Sequence, residues 1–252
     1  MNVLDRLWER VSGTQALPPT WVVAVTALAA LVIVLNAQSW RLTSKVITIA
    51  HEGGHALVSV LSGRRLDGIR LHADSSGVTY SRGRRHGPGL VLTAAAGYVT
   101  PPLLGAGAAA LLADRHQTAM LWLALVLLAA TFLAVRNAFG ALAVLATAAG
   151  VFAVSYIGSA AVQAGFAYLA AWVLLFGGLR PVVELARGSA GSSGRRQRWT
   201  RGSDADQLAR LTGAPAGLWI TLFMLVALGA LVIGVVLLMP PGLHLGWSVA
   251  RS

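Results

Sequence analysis

The chain has 252 residues, no cysteine, 56% hydrophobic and 12% charged residues, and a mean hydropathy of +0.68. Soluble domains carry about a quarter charged residues, so this composition excludes an ordinary soluble fold and reads as a polytopic membrane protein. Without cysteine there is no disulfide scaffold, thiolate metal site or thiol catalysis, and the net charge of +11 falls between apolar runs, where it sets membrane orientation and not nucleic-acid binding.

In chain order, residues 1–20 carry charges throughout and lack the apolar stretch of a cleavable signal. Leu4, Leu7, Trp8 and Val11 have the spacing of a short helix on the membrane surface. Seven apolar runs follow, at residues 21–38, 43–62, 88–113, 118–135, 137–156, 159–179 and 216–239. With the N-terminus in the cytoplasm, sixteen of the twenty basic residues fall inside, leaving Arg41, Lys45, Arg115 and Arg251 outside.

The loop after the second run alternates Ile69 and Leu71 with Val78 and Tyr80 around Asp74 to Gly77, which predicts a small cytoplasmic β-hairpin. A second inside loop opens on a flexible basic stretch and continues as SDADQLARLTGAP, a short helix capped by Ser203 or Asp204. The expected fold class is an all-α polytopic membrane protein with about seven transmembrane helices and one hairpin. Its parts are a cytoplasmic segment (1–20), a core with the first helix, the second helix, hairpin and third helix (21–113), further transmembrane helices (114–179), a basic cytoplasmic loop (180–215), and a last helix with its tail (216–252).

One segment carries chemistry. His51, Glu52 and His55 form H-E-x-x-H inside an apolar run, and at 3.6 residues per turn both imidazoles share a face and can reach one metal ion. With one further ligand, Zn²⁺ keeps a position for water, and Glu52 can accept the water's proton and pass it to a leaving amine. That is the chemistry of peptide hydrolysis. Ionisable groups in hydrocarbon are costly unless paired, liganded or facing water, which argues against mere structural residues. Gly53 and Gly54, in the variable positions, predict close approach of a neighbouring helix or the substrate.

No other run contains an acidic residue, so the third ligand comes from a loop or a helix end: Asp67, Asp74, Glu184, Asp204 and Asp206, with His72 and His86 as nitrogen alternatives. Asp204 and Asp206 point in different directions on one helix, so at most one of them binds.

IAHEGGHALVSVLSG in a membrane helix, the β-prone loop after it, and AAAGYVTPPLLGA in the next helix resemble the site-2 protease family of intramembrane zinc metalloproteases, particularly its compact bacterial members. The resemblance covers residues 43–112, with a weaker match at GSDADQLARLTGAP. It implies His51 and His55 as zinc ligands, Glu52 as general base, and Asp204, with Asp206 as substitute, as the third ligand. This chain departs from the usual pattern in having no Asp-Gly in a later core helix. The resemblance further implies a multi-pass protein of the cell membrane whose partners are the lipid bilayer and a membrane-spanning, often regulatory, protein substrate. Two other readings share the same residues: a non-proteolytic metal-binding or transport protein, and an inactive protease-like scaffold. The sparse polar residues of the other runs, such as Asn137 and Gln163, fit a transporter less well. Oligomeric state is not written in the sequence.

Overall fold

The computed structural model describes residues 13–190 and 202–239. The surface helix expected at Leu4, Leu7, Trp8 and Val11, most of the basic stretch before Gly202, and the C-terminal tail lie outside the described residues. Helices α1 (Thr20–Leu35) and α2 (Ala37–Leu61) lead into strands β1 (Arg65–Leu71) and β2 (Gly77–Arg82). Helices α3 (Pro88–Ala113), α4 (Gln117–Ala134), α5 (Ala138–Ile157), α6 (Ala160–Ala190), the short α7 (Asp204–Thr212) and α8 (Ala216–Leu238) complete the bundle. The breaks near Arg136 and Gly158 are real helix boundaries.

Five of these helices are individually long and apolar enough to cross a membrane. The first two qualify only as a pair bent by 100°, so the described residues hold five helices able to cross, or six spans if the bent pair is counted as one, where the sequence predicts about seven. The reason is local. Asn36 ends α1 and its side chain accepts hydrogen bonds from the Gln38 and Ser39 amides, starting α2 at once with no loop between. Arg41, expected between the first two runs, is therefore a helical residue of α2, as is Lys45. Arg180 braces the bend by donating to the Val34 carbonyl and stacking on Trp40 at 4.5 Å.

The described N-terminal residues are tied to the bundle as well. The Gln15 amide donates to the Arg115 carbonyl, the Arg115 guanidinium donates to the Gln15 carbonyl, and Gln117 donates to the Ala16 carbonyl, so this segment docks beyond the C-terminal end of α3. The hairpin sits at the other end of α3, where Gly89 abuts Ser62. Residues 13–18 and the base of the hairpin thus lie at opposite ends of α3.

Helix α6 continues eleven residues past its predicted end at residue 179, through Pro181, because its apolar face goes on: Val182 and Leu185 bury against α3, α7 and α8. The predicted loop over 180–215 is thus helical in its first part. The widest helix contacts are α3 with α6 and with α2. In a bilayer such contacts rest on close fit between small residues, not on exclusion of water. Gly178 packs on Pro102, and Gly105 on Leu175. Pro101 and Pro102 are both buried inside α3. A side chain at Gly178 would begin 2.7 Å from Pro102 Cδ and 2.8 Å from its backbone nitrogen, which cannot yield. Gly178→Leu is therefore expected to destabilise the protein by about 1–3 kcal/mol, read as a lower melting temperature in detergent. Gly107→Leu, where nothing lies within 4 Å, should leave it unchanged.

Candidate metal centre

The hairpin forms as expected, antiparallel, with Ile69 opposite Thr79 and Leu71 opposite Gly77. It does not stand off the bundle as a free loop. Its tip bends back along α2, where the Lys45 ammonium donates to the Ala73 carbonyl and to Ser75 Oγ at 2.8 Å, Ser44 Oγ lies 2.7 Å from Ser75 Oγ, and Thr48 donates to the Ser75 carbonyl at 2.9 Å. Ser75 is held at φ +68°, a conformation that L residues resist and that these contacts support. On the outer edge of β1, Asn137 donates to the Leu71 carbonyl at 2.7 Å and accepts from its amide at 3.1 Å, while the Arg136 amide donates to the Ile69 carbonyl. Ile69 and Leu71 are buried, whereas Val78 and Tyr80 face outward at 41% and 48% exposure, so the alternation splits between two faces.

His51 and His55, one turn apart on α2, bring their Nε2 atoms to 3.2 Å from each other. Asp204 Oδ2 lies 3.2 Å from both. These side chains are 20%, 11% and 18% exposed. His55 Nδ1 sits 2.6 Å from the Thr93 carbonyl; a carbonyl only accepts, so in the neutral ring Nδ1 carries the hydrogen and Nε2 presents its lone pair inward. Asp204 Oδ2 is buried with no hydrogen-bond partner.

Lone pairs converging so closely repel unless a cation lies between them. Two imidazole nitrogens at about 2.0–2.1 Å from a tetrahedral zinc would be about 3.3 Å apart, so the observed triangle has the dimensions and the donor chemistry of a three-ligand metal site. Among the described residues, this trio alone is grouped closely enough to hold a metal ion.

The trio is positioned by two elements, α2 for both imidazoles and α7 for the carboxylate. Ser203 caps α7 by accepting from the Asp206 amide, which leaves Asp204 in the first turn free to turn toward α2. Ala205 and Leu208, both fully buried, anchor α7 in an apolar cluster with Ala94, Val182, Leu185, Ile220 and Phe223. Asp206 instead accepts from the Gly202 amide at 3.2 Å. The other candidates lie elsewhere. Asp67 pairs with Arg82 at 2.7 Å, whose guanidinium holds the carboxyl below its usual range. Asp74 accepts from Ser76 in the turn, Glu184 pairs with Arg180, His72 lies in the hairpin turn near Lys45, and His86 is exposed.

Glu52, about 100° around the helix from His51, is 4% exposed and faces the hairpin, where Thr79 donates to its carboxylate. Gly54 packs on Thr100 and the Ala96 carbonyl, and Gly53 meets Thr131, so the double glycine serves helix contacts.

Small residues in the third helix escape a reading of the sequence. Gly97 lies directly against the imidazoles: a Cβ there would stand 2.4 Å from Nε2 of both His51 and His55. Thr93 contributes through its backbone, which leaves no mark in sequence. Gly97→Ala is expected to leave the helices folded yet weaken metal binding by about tenfold or more, measured as zinc retained after dialysis against a chelator.

A family model described as Peptidase M50B-like matches residues 24–234. No curated protein and no solved structure matches the chain significantly. The matched stretch spans α2, the hairpin, α3 and α7, and so includes every residue of the cluster. On that match the chain belongs to the Peptidase M50B-like family, the membrane metalloproteases of the site-2 protease type.

Proposed function

We propose that this protein is an intramembrane zinc endopeptidase that hydrolyses peptide bonds in or near the transmembrane segments of membrane-bound proteins. The observation that carries the reading is the meeting of three lone-pair atoms at 3.2 Å, with the Asp204 oxygen otherwise unpartnered. In this reading His51, His55 and Asp204 hold the metal, and Asp206 serves its helix turn. Zinc suits a set of two imidazoles and one carboxylate with a place left open. Bound there, it would supply Lewis-acid chemistry, acidifying water and polarising a peptide carbonyl. Glu52 takes the proton from the attacking water and delivers it to the leaving amine.

A transmembrane substrate hides its scissile carbonyl in its own helical hydrogen bonds and must unwind before attack. The outer edge of β1 is occupied by residues 135–137, whereas among the described residues no strand pairs with the far edge of β2. An unwound segment adding to that edge would satisfy its freed backbone groups beside Glu52. The basic end of the bundle, with Arg64, Arg65, Arg82, Arg84 and Arg85, faces the cytoplasm in this reading. With α1 and α2 as one broken crossing, residues 13–18 then fall on the opposite side.

The test uses detergent-purified protein and a single-span membrane substrate. Wild type and Glu52→Gln should hold equal zinc, while cleavage by Glu52→Gln falls by roughly 10²–10⁴-fold. Asp204→Ala should lose the metal and Asp206→Ala keep it. Chelation should abolish cleavage, and added zinc restore it. Equal processing by wild type and Glu52→Gln would remove the general-base role of Glu52, absence of cleavage by wild type holding zinc would remove the hydrolase reading, and full zinc in Asp204→Ala would move the third ligand elsewhere.

A further inference from the structure

We propose that Thr79 is a positioning residue for Glu52, and that Gly77 keeps clear the space in which the Glu52 carboxylate is held. The inference rests on the reading of Glu52 as general base. Thr79 Oγ1 donates to Glu52 Oε2 at 2.7 Å and lies 3.1 Å from the Glu52 backbone oxygen. A hydroxyl this close to a carboxylate lies at the upper end of the charge-assisted range, about 2.5–2.7 Å. Among the described residues, Thr79 is the hydrogen-bond partner of this buried carboxylate. One oxygen is thereby tied down, and the other faces Gly77. A Cβ at Gly77 would stand 2.5 Å from Glu52 Cγ and 2.7 Å from Oε1, so any side chain there displaces the acid.

The hydroxyl is itself fixed by the fold. Thr79 and Gly77 share one face of β2, and the hairpin is clamped at three places. Its tip is bound by Ser44, Lys45 and Thr48, its outer edge by Asn137, and its base by Arg64, which donates to Ser81 Oγ at 3.2 Å. A glutamate has three rotatable side-chain bonds, and a general base works only within hydrogen-bond reach of its proton. Strand β2 removes that freedom before substrate arrives, and a substrate strand laid on its free edge would lie beside an acid already aimed.

The experiment compares wild type, Thr79→Val, Thr79→Ser and Glu52→Gln in detergent, with steady-state cleavage, zinc content and infrared spectra after carbon-13 glutamate labelling. The chain has only three glutamates, Glu9, Glu52 and Glu184, so the Glu52 carboxylate band is identified by its loss in Glu52→Gln. Thr79→Val should keep its zinc and a KM within about twofold of wild type while kcat falls about ten- to a hundredfold. The Glu52 band should shift in Thr79→Val and return in Thr79→Ser together with most of kcat. Wild-type kcat and an unshifted band in Thr79→Val, beside an inactive Glu52→Gln, would overturn the role of Thr79 alone. Equal loss in Thr79→Ser and Thr79→Val with lowered melting temperatures would reduce it to hairpin stability and also overturn it. Full cleavage by Glu52→Gln would instead overturn the general-base reading, and the role of Thr79 with it.

Discussion

Two imidazole nitrogens and a carboxylate oxygen, each presenting a lone pair to the others, are forced together in a bundle that is otherwise apolar. Left alone, this arrangement is unfavourable, because the groups repel and little water reaches them. The surrounding structure makes sense as the means of enforcing it. Helix α2 supplies both rings one turn apart, α3 presses a glycine against them and fixes one ring through the Thr93 carbonyl, and an apolar cluster pins α7 so that its first residue turns inward.

The polar groups near this centre are satisfied in a way that also fixes the hairpin. Lys45, Ser44 and Thr48 would be costly on a helix facing lipid, but the bent-back tip gives them carbonyls and a hydroxyl to bind. Asn137 bonds both backbone groups of Leu71, so one edge of the hairpin is closed by the turn between two membrane helices. A two-stranded ribbon alone is marginal in water. Here it is as firmly placed as the helices it touches.

What could be read in advance follows from chemical distinctiveness. H-E-x-x-H announces itself because ionisable residues are rare in apolar runs, and the hairpin appears through its alternation and turn residues. Asp204 is found through resemblance, since its distance along the chain conceals its proximity to His51 and His55. The bend at Asn36 carried a readable sign, a good helix-capping residue between two apolar stretches, but hydropathy alone suggests two separate crossings. Gly77, Thr79, Thr93 and Gly97 act through missing side chains, a backbone carbonyl or one hydroxyl. None of these differs in sequence from ordinary membrane composition, so only the fold reveals them.

Helix α7 lies close to the end of the described chain, whereas the two imidazoles lie near its beginning. During synthesis α2, the hairpin and α3 emerge long before Asp204, and until α7 docks the rings have no carboxylate to complete their trio. In the proposed reading, a nascent or truncated chain ending before residue 204 lacks its third metal ligand, so any cutting power waits on the docking of α7.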